Sequence, residues 1–274
     1  MDTNDGPNQN AGSVRNLRET FERVEPEVVV HLAAKPGLFG EDDVMHTVRD
    51  NAGMTGVLAQ VAGEMGVRVV YASTSEIYGD NGQAICREIE GPWSRPHNIH
   101  GLSKLWGEEV CKLYAPKGFT PLRFSMPYGP GLPAGRGRAT IINMLWQAKH
   151  GMPITVHAGA ERSWCWIGDI VRAARAAIEN GDGPYNVGRD DNGVDMLVVA
   201  ELACEITGSD RRLIEMVDVP AGQTVVKRLS TARIRQLGWK PVVELEDGMR
   251  RTFDTWVDHL DAEGNLIEET AIVG

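Results

Sequence analysis

GVRVVYASTSEIYGD, residues 66–80, is the stretch on which the fold turns. Residues 66–73 are dominated by β-branched and apolar side chains, the pattern of a strand buried on both faces rather than of one with a wet side. The run stops at Ser73, Thr74, Ser75 and Glu76, three hydroxyls and a carboxylate set directly after it. Such groups at a strand end can hold a substrate hydroxyl or share a proton. Ser and Thr also favour strand ends for local reasons, so ordinary turn chemistry is the competing reading.

Outward from this strand the same kind of run recurs. EVVVHLAA (27–34) predicts another strand buried on both faces, and FTPLRFSM (119–126) a third, closed by PYGPGLPAGRGR. Helices are expected between them. One runs from Ser13, as its cap, to about Val24, with Leu17 and Phe21 facing inward and Pro26 ending it. A second follows the loop KPGLFGEDD and covers about 43–65; a third carries His100 and Lys104. Later segments keep alternating: a helix at 139–151, a strand in MPITVHA, a helix at 167–179, a short strand in PYNVG and a helix in MLVVAELACEITG. A strand near 213–219, a small helix at 230–237, the turn LGWKP and a final helix at 245–260 complete the chain. Strand alternating with helix predicts an α/β fold with a parallel sheet covered on both faces. In such sheets ligands bind beyond the carboxyl ends of the strands, here AAKPG, STSEIYGD and MPYGPG. The polar segment 1–12 is expected to be a flexible tail.

The 274 residues are 42% hydrophobic and 24% charged with a net charge of -10, ordinary globular composition without the basic footprint of a nucleic-acid or anionic-membrane binder. A small anionic ligand needs only a local cluster of arginines. Cys86, Cys111, Cys165 and Cys204 form no CxxC pair and no zinc-like spacing, so reduced thiols in a cytoplasmic setting and no metal are expected. No apolar run has the length of a membrane span, and MDTNDGPNQNAG is not a signal peptide.

HNIHGLSKLWGE (97–108) puts His100 and Lys104 four residues apart, one turn apart on one helix face. That spacing suits a proton-transfer pair, and it also occurs by chance on surface helices.

Taken in order, VVVHLAA, VVYASTSEIYGD, the GLSK helix ending in GE, LRFSMPYGPG, RSWCWIGDIV, YNVG and LGWKP resemble the extended short-chain dehydrogenase/reductase family of NAD-dependent nucleotide-sugar epimerases and dehydratases. The likeness spans about residues 14–256. STSEIYG is closest to the UDP-glucuronate decarboxylase and 4,6-dehydratase branches, and MPYGPG to a general epimerase pattern. The resemblance implies a Rossmann-like sheet with a smaller C-terminal substrate domain. It implies catalytic roles for Thr74, Ser75, Glu76 and Lys104, and cofactor contacts from Ala33, Ala34, Ser73, Lys104 and Pro127. Arg162 matches an arginine that meets the substrate diphosphate, with Arg136 and Arg138 as further candidates. Arg123, Asp169 and Asn51 match positions with structural roles.

His100 stands where the family carries its catalytic tyrosine. Neutral imidazole is a competent base without help, and Lys104 would lower its pKa further. The ring is shorter than a phenol by about 2 Å, a gap that one water can bridge, although misplacement of about 1 Å can cost roughly 100-fold. The family's opening strand and GxxGxxG loop, which cradle the cofactor pyrophosphate, have no match, so the first strand here corresponds to the family's fourth. GPGLPAGRG (129–137) is a false match, since Pro130 and Pro133 remove backbone donors. Two further family positions, an asparagine and a later diphosphate arginine, read Met126 and Pro220.

The implied division is a 1–12 tail, a truncated Rossmann-like unit at 13–135 joined by about 152–180, and a substrate-binding unit from 136–151 and 181–274. The implied reaction is hydride transfer at sugar C4 with NAD as cofactor, acting on a UDP- or dTDP-sugar. The alternatives are a scaffold or sugar-nucleotide-binding protein that has lost NAD binding, or one half of a split enzyme. A sheet edge left open by the missing strands predicts a homodimer or a partner chain.

Overall fold

The computed structural model describes residues 13–35, 44–80, 85–88, 95–115, 118–135, 139–189, 193–220 and 224–265. The expected tail at 1–12 lies outside them. The chain begins with α1 (Val14–Val24) and β1 (Val28–His31). A continuous helical segment follows: α2 (Val44–Thr47), one wide π-helical stretch (Val48–Gly53) and α3 (Met54–Met65). Then come β2 (Arg68–Thr74), a 3-10 turn (Ser75–Tyr78), β3 (Ile85–Cys86), α4 (Ile99–Tyr114), β4 (Phe119–Phe124) and β5 (Pro127–Tyr128). The second half holds α5 (Thr140–Lys149), β6 (Ile154–His157), β7 (Glu161–Arg162), β8 (Cys165–Trp166), α6 (Ile167–Asn180) and β9 (Tyr185–Val187). It ends with β10 (Val194–Asp195), α7 (Met196–Thr207), β11 (Ile214–Val217), β12 (Val226–Leu229), α8 (Ala232–Arg235) and α9 (Leu245–Thr255).

The main sheet is parallel in the order β1-β2-β4-β9. Alternate residues of β2 serve opposite cores, as the two-residue period of a strand requires. Val69 and Tyr71 pack with Leu17 and Phe21 of α1, Leu58 and Val61 of α3 and Cys111 of α4. Val70 packs on the other face with Leu122, Tyr185 and the Ile170–Ala173–Ala177 stripe of α6. A third cluster joins α5, α7 and α9 over β6 around Trp164, Leu145 and Met249.

Two local expectations differ from what is observed. Ser13 sits at the α1 cap position, yet its side chain makes no capping hydrogen bond. The 27–34 strand is not buried on both faces: β1 is an edge strand among the described residues, with Val30 37% and Leu32 64% exposed. An apolar run reports a preference for burial, and position in the sheet decides whether it is met.

Beneath the sheet, Glu108 of α4 and Arg123 of β4 form a two-pronged ion pair, Nε to Oε1 at 3.1 Å and Nη2 to Oε2 at 2.8 Å, with both side chains at most 2% exposed. Ser73 donates to the same carboxylate at 2.5 Å. Arg123 also donates to the Tyr78 hydroxyl at 2.8 Å, which in turn donates to Asn186 Oδ1 at 2.7 Å. Asn186 donates onward to the carbonyls of Cys86 and Ser230. Arg123 and Tyr78 are thereby structural, one network tying α4, β2, β4, β9 and the 3-10 turn.

Removing one member leaves an unpaired buried charge. Arg123→Met is expected to cost about 3–5 kcal/mol in urea unfolding, and the double variant Arg123→Met, Glu108→Leu to recover a large part of it. Met126 follows β4 with φ 37, a left-handed conformation that costs a side-chain-bearing residue about 1–2 kcal/mol and that asparagine tolerates. Met126→Asn should therefore melt higher than Met126→Ala, which gives up the same packing and keeps the strain.

Candidate active site

The carboxyl end of β2 leads directly into the 3-10 turn. Thr74 Oγ1 accepts the Glu76 N–H at 3.2 Å, the capping bond that starts the turn, and Ser75 is buried beside it. Glu76 is held by two donors from distant elements. Lys227 Nζ of β12 bonds Oε1, and Asn98 Nδ2 reaches Oε2 at 3.0 Å. Burial alone would push the Glu76 carboxyl up; Lys227, Asn98 and the more remote Arg162 outweigh it and hold the pKa below the usual carboxylate range.

Asn98 is also the N-cap of α4, its Oδ1 accepting the Gly101 N–H at 2.8 Å. Gly101 is required here: a Cβ would stand 2.8 Å from the Glu76 carbonyl oxygen. The helix start is thus pressed against the turn, which brings His100 and Lys104 to the end of β2. Lys104 is 4% exposed, donates to the Ala72 carbonyl at 2.6 Å and lies 4.7 Å over the Tyr71 ring. Burial lowers its pKa to about 8. His100 is partly buried, and its Nδ1 is enclosed with no hydrogen-bond partner among the described residues. Burial first, then the Lys104 ammonium, pulls its pKa down to about 4; Glu76 and a backbone bond to Lys35 oppose this only in part. At neutral pH the site holds an uncharged imidazole with an unused nitrogen.

The π-helical stretch turns Asn51 toward the loop after β1. Asn51 Oδ1 accepts the Lys35 N–H at 2.7 Å, and Nδ2 donates to the Lys35 carbonyl at 3.2 Å and to Ser103 Oγ at 3.1 Å. Ser103 donates to the His100 carbonyl at 2.9 Å. Ala33 and Ala34 lie on the loop so fastened, exposed and half-buried respectively. Such single wide turns are frequent at functional sites.

The remaining candidates are dispersed. The Ser73 hydroxyl is taken up by Glu108. Pro127 is exposed on β5 and lines an apolar cavity of 180 Å³ with Tyr128, Leu132, Ile142 and Ile167. Arg162 of β7 donates to the carbonyls of Glu161, Val225 and Thr224 at 2.8–2.9 Å. Arg136 and Arg138 lie outside the described residues. Asp169 is structural, accepting the Val242 and Val243 N–H groups at 3.2–3.3 Å. Sequence reasoning missed Asn98 and Lys227. A polar residue just before a helical run was a legible cap signal for the first; nothing in VVKRL marked the lysine as inward-facing. Among the described residues no group of three or more His, Cys, Asp or Glu is placed to hold a metal ion, and no helix is long and apolar enough to cross a membrane.

UDP-glucuronic acid decarboxylase 1 of Xenopus tropicalis is 26% identical over 258 residues, 88% of this chain and 59% of the relative, so the chain spans less than two thirds of that protein's length. UDP-glucuronic acid decarboxylase 5 of Arabidopsis thaliana is 26% identical over 87% of this chain and 76% of its own. Among solved structures, UDP-glucose 4-epimerase of Thermotoga maritima with UDP-glucose superposes with a TM-score of 0.81 at 24% identity, covering 89% of this chain and 81% of that one. UDP-glucose 4-epimerase of Thermus thermophilus with NAD gives 0.79 at 24% identity, covering 89% and 82%. At this identity the two structures establish the fold, a Rossmann-like α/β sheet. The sequence itself matches the family described as NAD dependent epimerase/dehydratase over residues 10–188. With the strand–turn–helix site standing inside that span, the chain belongs to the NAD-dependent epimerase/dehydratase family.

Proposed function

We propose that the chain acts on a nucleotide sugar, a UDP- or dTDP-sugar, by the oxidation at C4 that begins epimerisation, dehydration and decarboxylation alike, with His100 as the base. The observation that carries this reading is the placement of a neutral His100, one turn from buried Lys104, at the start of α4 where that helix is pressed against the Ser75–Tyr78 turn after β2. In this reading residues 13–135 with 152–180 form the cofactor half, and 136–151 with 181–274 the substrate half.

The residues fit the nicotinamide end of a dinucleotide. Ala33 and Ala34 follow the end of β1, Lys104 and His100 follow the end of β2, and Pro127 follows β4, the crevice in which open α/β sheets take ligands. A bound NAD would supply the hydride acceptor. His100 takes the sugar hydroxyl proton, directly or through one water, and the Lys104 charge keeps the imidazole neutral for it. Thr74 and Ser75 hold sugar hydroxyls. Arg162, whose guanidinium bonds backbone carbonyls and no carboxylate among the described residues, offers its charge to the diphosphate.

The inactive alternative, a scaffold or sugar-nucleotide binder, draws on the Lys104 Nζ, which is already satisfied by the Ala72 carbonyl. The position of β1 as an edge strand among the described residues supports a homodimer or a partner chain.

Calorimetry of NAD into the purified chain, with sedimentation of the same sample, tests the choice. Micromolar affinity in a dimer, lost in Lys104→Ala, is expected; a monomer that binds no NAD at millimolar concentration would leave the inactive reading standing. The depressed histidines add a pH test. His31 and His100 both fall to about 4, so the unfolded chain takes up more protons between there and about 6.5. Stability is full above about pH 6.5 and is lost as pH falls toward 4, on the order of 3 kcal/mol per histidine. His100→Phe should flatten its share of that slope in thermal melts from pH 7 to 4.5.

A further inference from the structure

We propose that Lys227 is a positioning residue for the site: it fixes Glu76 as an ionised acceptor facing the sugar and, through Asn98, sets the start of α4 that carries His100. The inference deepens the nucleotide-sugar reading and rests on it only for the identity of the ligand.

The geometry is a chain of three side chains from three elements. Lys227 comes from β12, which pairs in parallel with β3 and β7 and is delivered from the C-terminal part of the chain. Its side chain is 2% exposed, and its ammonium bonds Glu76 Oε1. The Glu76 side chain keeps 32% exposure while both of its carboxylate oxygens are clamped. Oε2 accepts from Asn98, whose own Oδ1 caps α4 at Gly101. A lysine so enclosed is costly to keep charged, and a fixed counter-charge offsets that cost. The pair therefore constrains both partners: the ammonium cannot leave for solvent, and the carboxylate cannot swing away without stranding it.

The charged and titratable groups facing this pair are Arg162 of β7, His100 of α4 and Cys86 of β3. Arg162 adds a second positive charge near the carboxylate, and neutral His100 adds none. An ionised Glu76 accepts a hydrogen bond from a sugar hydroxyl and does not donate a proton. A group that must protonate a departing hydroxyl would then have to come from elsewhere, which separates this site from one built on a carboxylic acid.

The test reads Glu76 itself and needs no turnover. Side-chain carboxyl carbons are followed by NMR in the full chain labelled at glutamate, with Glu76 assigned by its loss in Glu76→Gln. In the wild type Glu76 is expected to stay ionised below the usual carboxylate range. Lys227→Met should raise its midpoint by at least about one pH unit, a tenfold gain in proton affinity, and shift the His100 ring signals. Lys227→Arg should restore both. Should Lys227→Met not fold, Lys227→Gln carries the same comparison. A Glu76 midpoint in either neutral variant equal to that of the wild type, with His100 signals unmoved, overturns the proposal. NAD binding measured on the same variants reports separately on hydride chemistry, so failure of one reading is not mistaken for failure of the other.

Discussion

The buried Glu108–Arg123 pair is the contact on which the site depends. α4 carries both His100 and Lys104, yet its own packing on α3 would let it slide along its axis. The two-pronged bond to β4, with Ser73 from β2 on the same carboxylate, pins the helix to two strands at once. A charge pair so enclosed contributes little net stability against an apolar substitute, and its geometric demand is strict. What it supplies is register: four turns of helix are referenced to the sheet just past their midpoint, and the Asn98 cap references them at the start.

Between these two anchors the site is assembled from elements far apart in sequence. Glu76 is reached by Asn98 and by Lys227 across 151 positions. The consequence is that the C-terminal strand β12 is part of the same polar unit as the β2 turn. The polar interior is laid out so that the cations find partners, Arg123 on a carboxylate, Lys104 on a carbonyl and Lys227 on Glu76.

Much of this was legible in the sequence, and the boundary is physical. β2, β4 and α4 were readable because each is long enough for its period to show, and α6 because its apolar stripe recurs at helical spacing. The pairing of His100 with Lys104 followed from spacing alone. The edge position of β1 was not readable, because the same VVVH run suits an edge or a centre and only the neighbouring strands decide. β3, β7, β8 and β10 are two residues long, too short for any alternation to register. Lys227 was hidden for another reason: a lysine in a four-residue strand signals a wet face, and its burial depends on Glu76, which the sequence keeps far away. The π-helical stretch was likewise invisible, since one widened turn leaves the apolar spacing of 44–65 nearly intact. The asparagine it serves was visible only as a family likeness.

That widened turn has a wider meaning for the edge of the sheet. The Asn51 amide meets the Lys35 N–H with its oxygen and the Lys35 carbonyl with its nitrogen, the pair of bonds a neighbouring strand would make. One side chain thus imitates one residue of a β-ladder. The chain leaving β1 is stopped there by its own helix, and Lys35 is withdrawn from any intermolecular pairing. Among the described residues of this edge, recruitment of another backbone is confined to the few before it. A short edge limits runaway self-association while still admitting a specific neighbour.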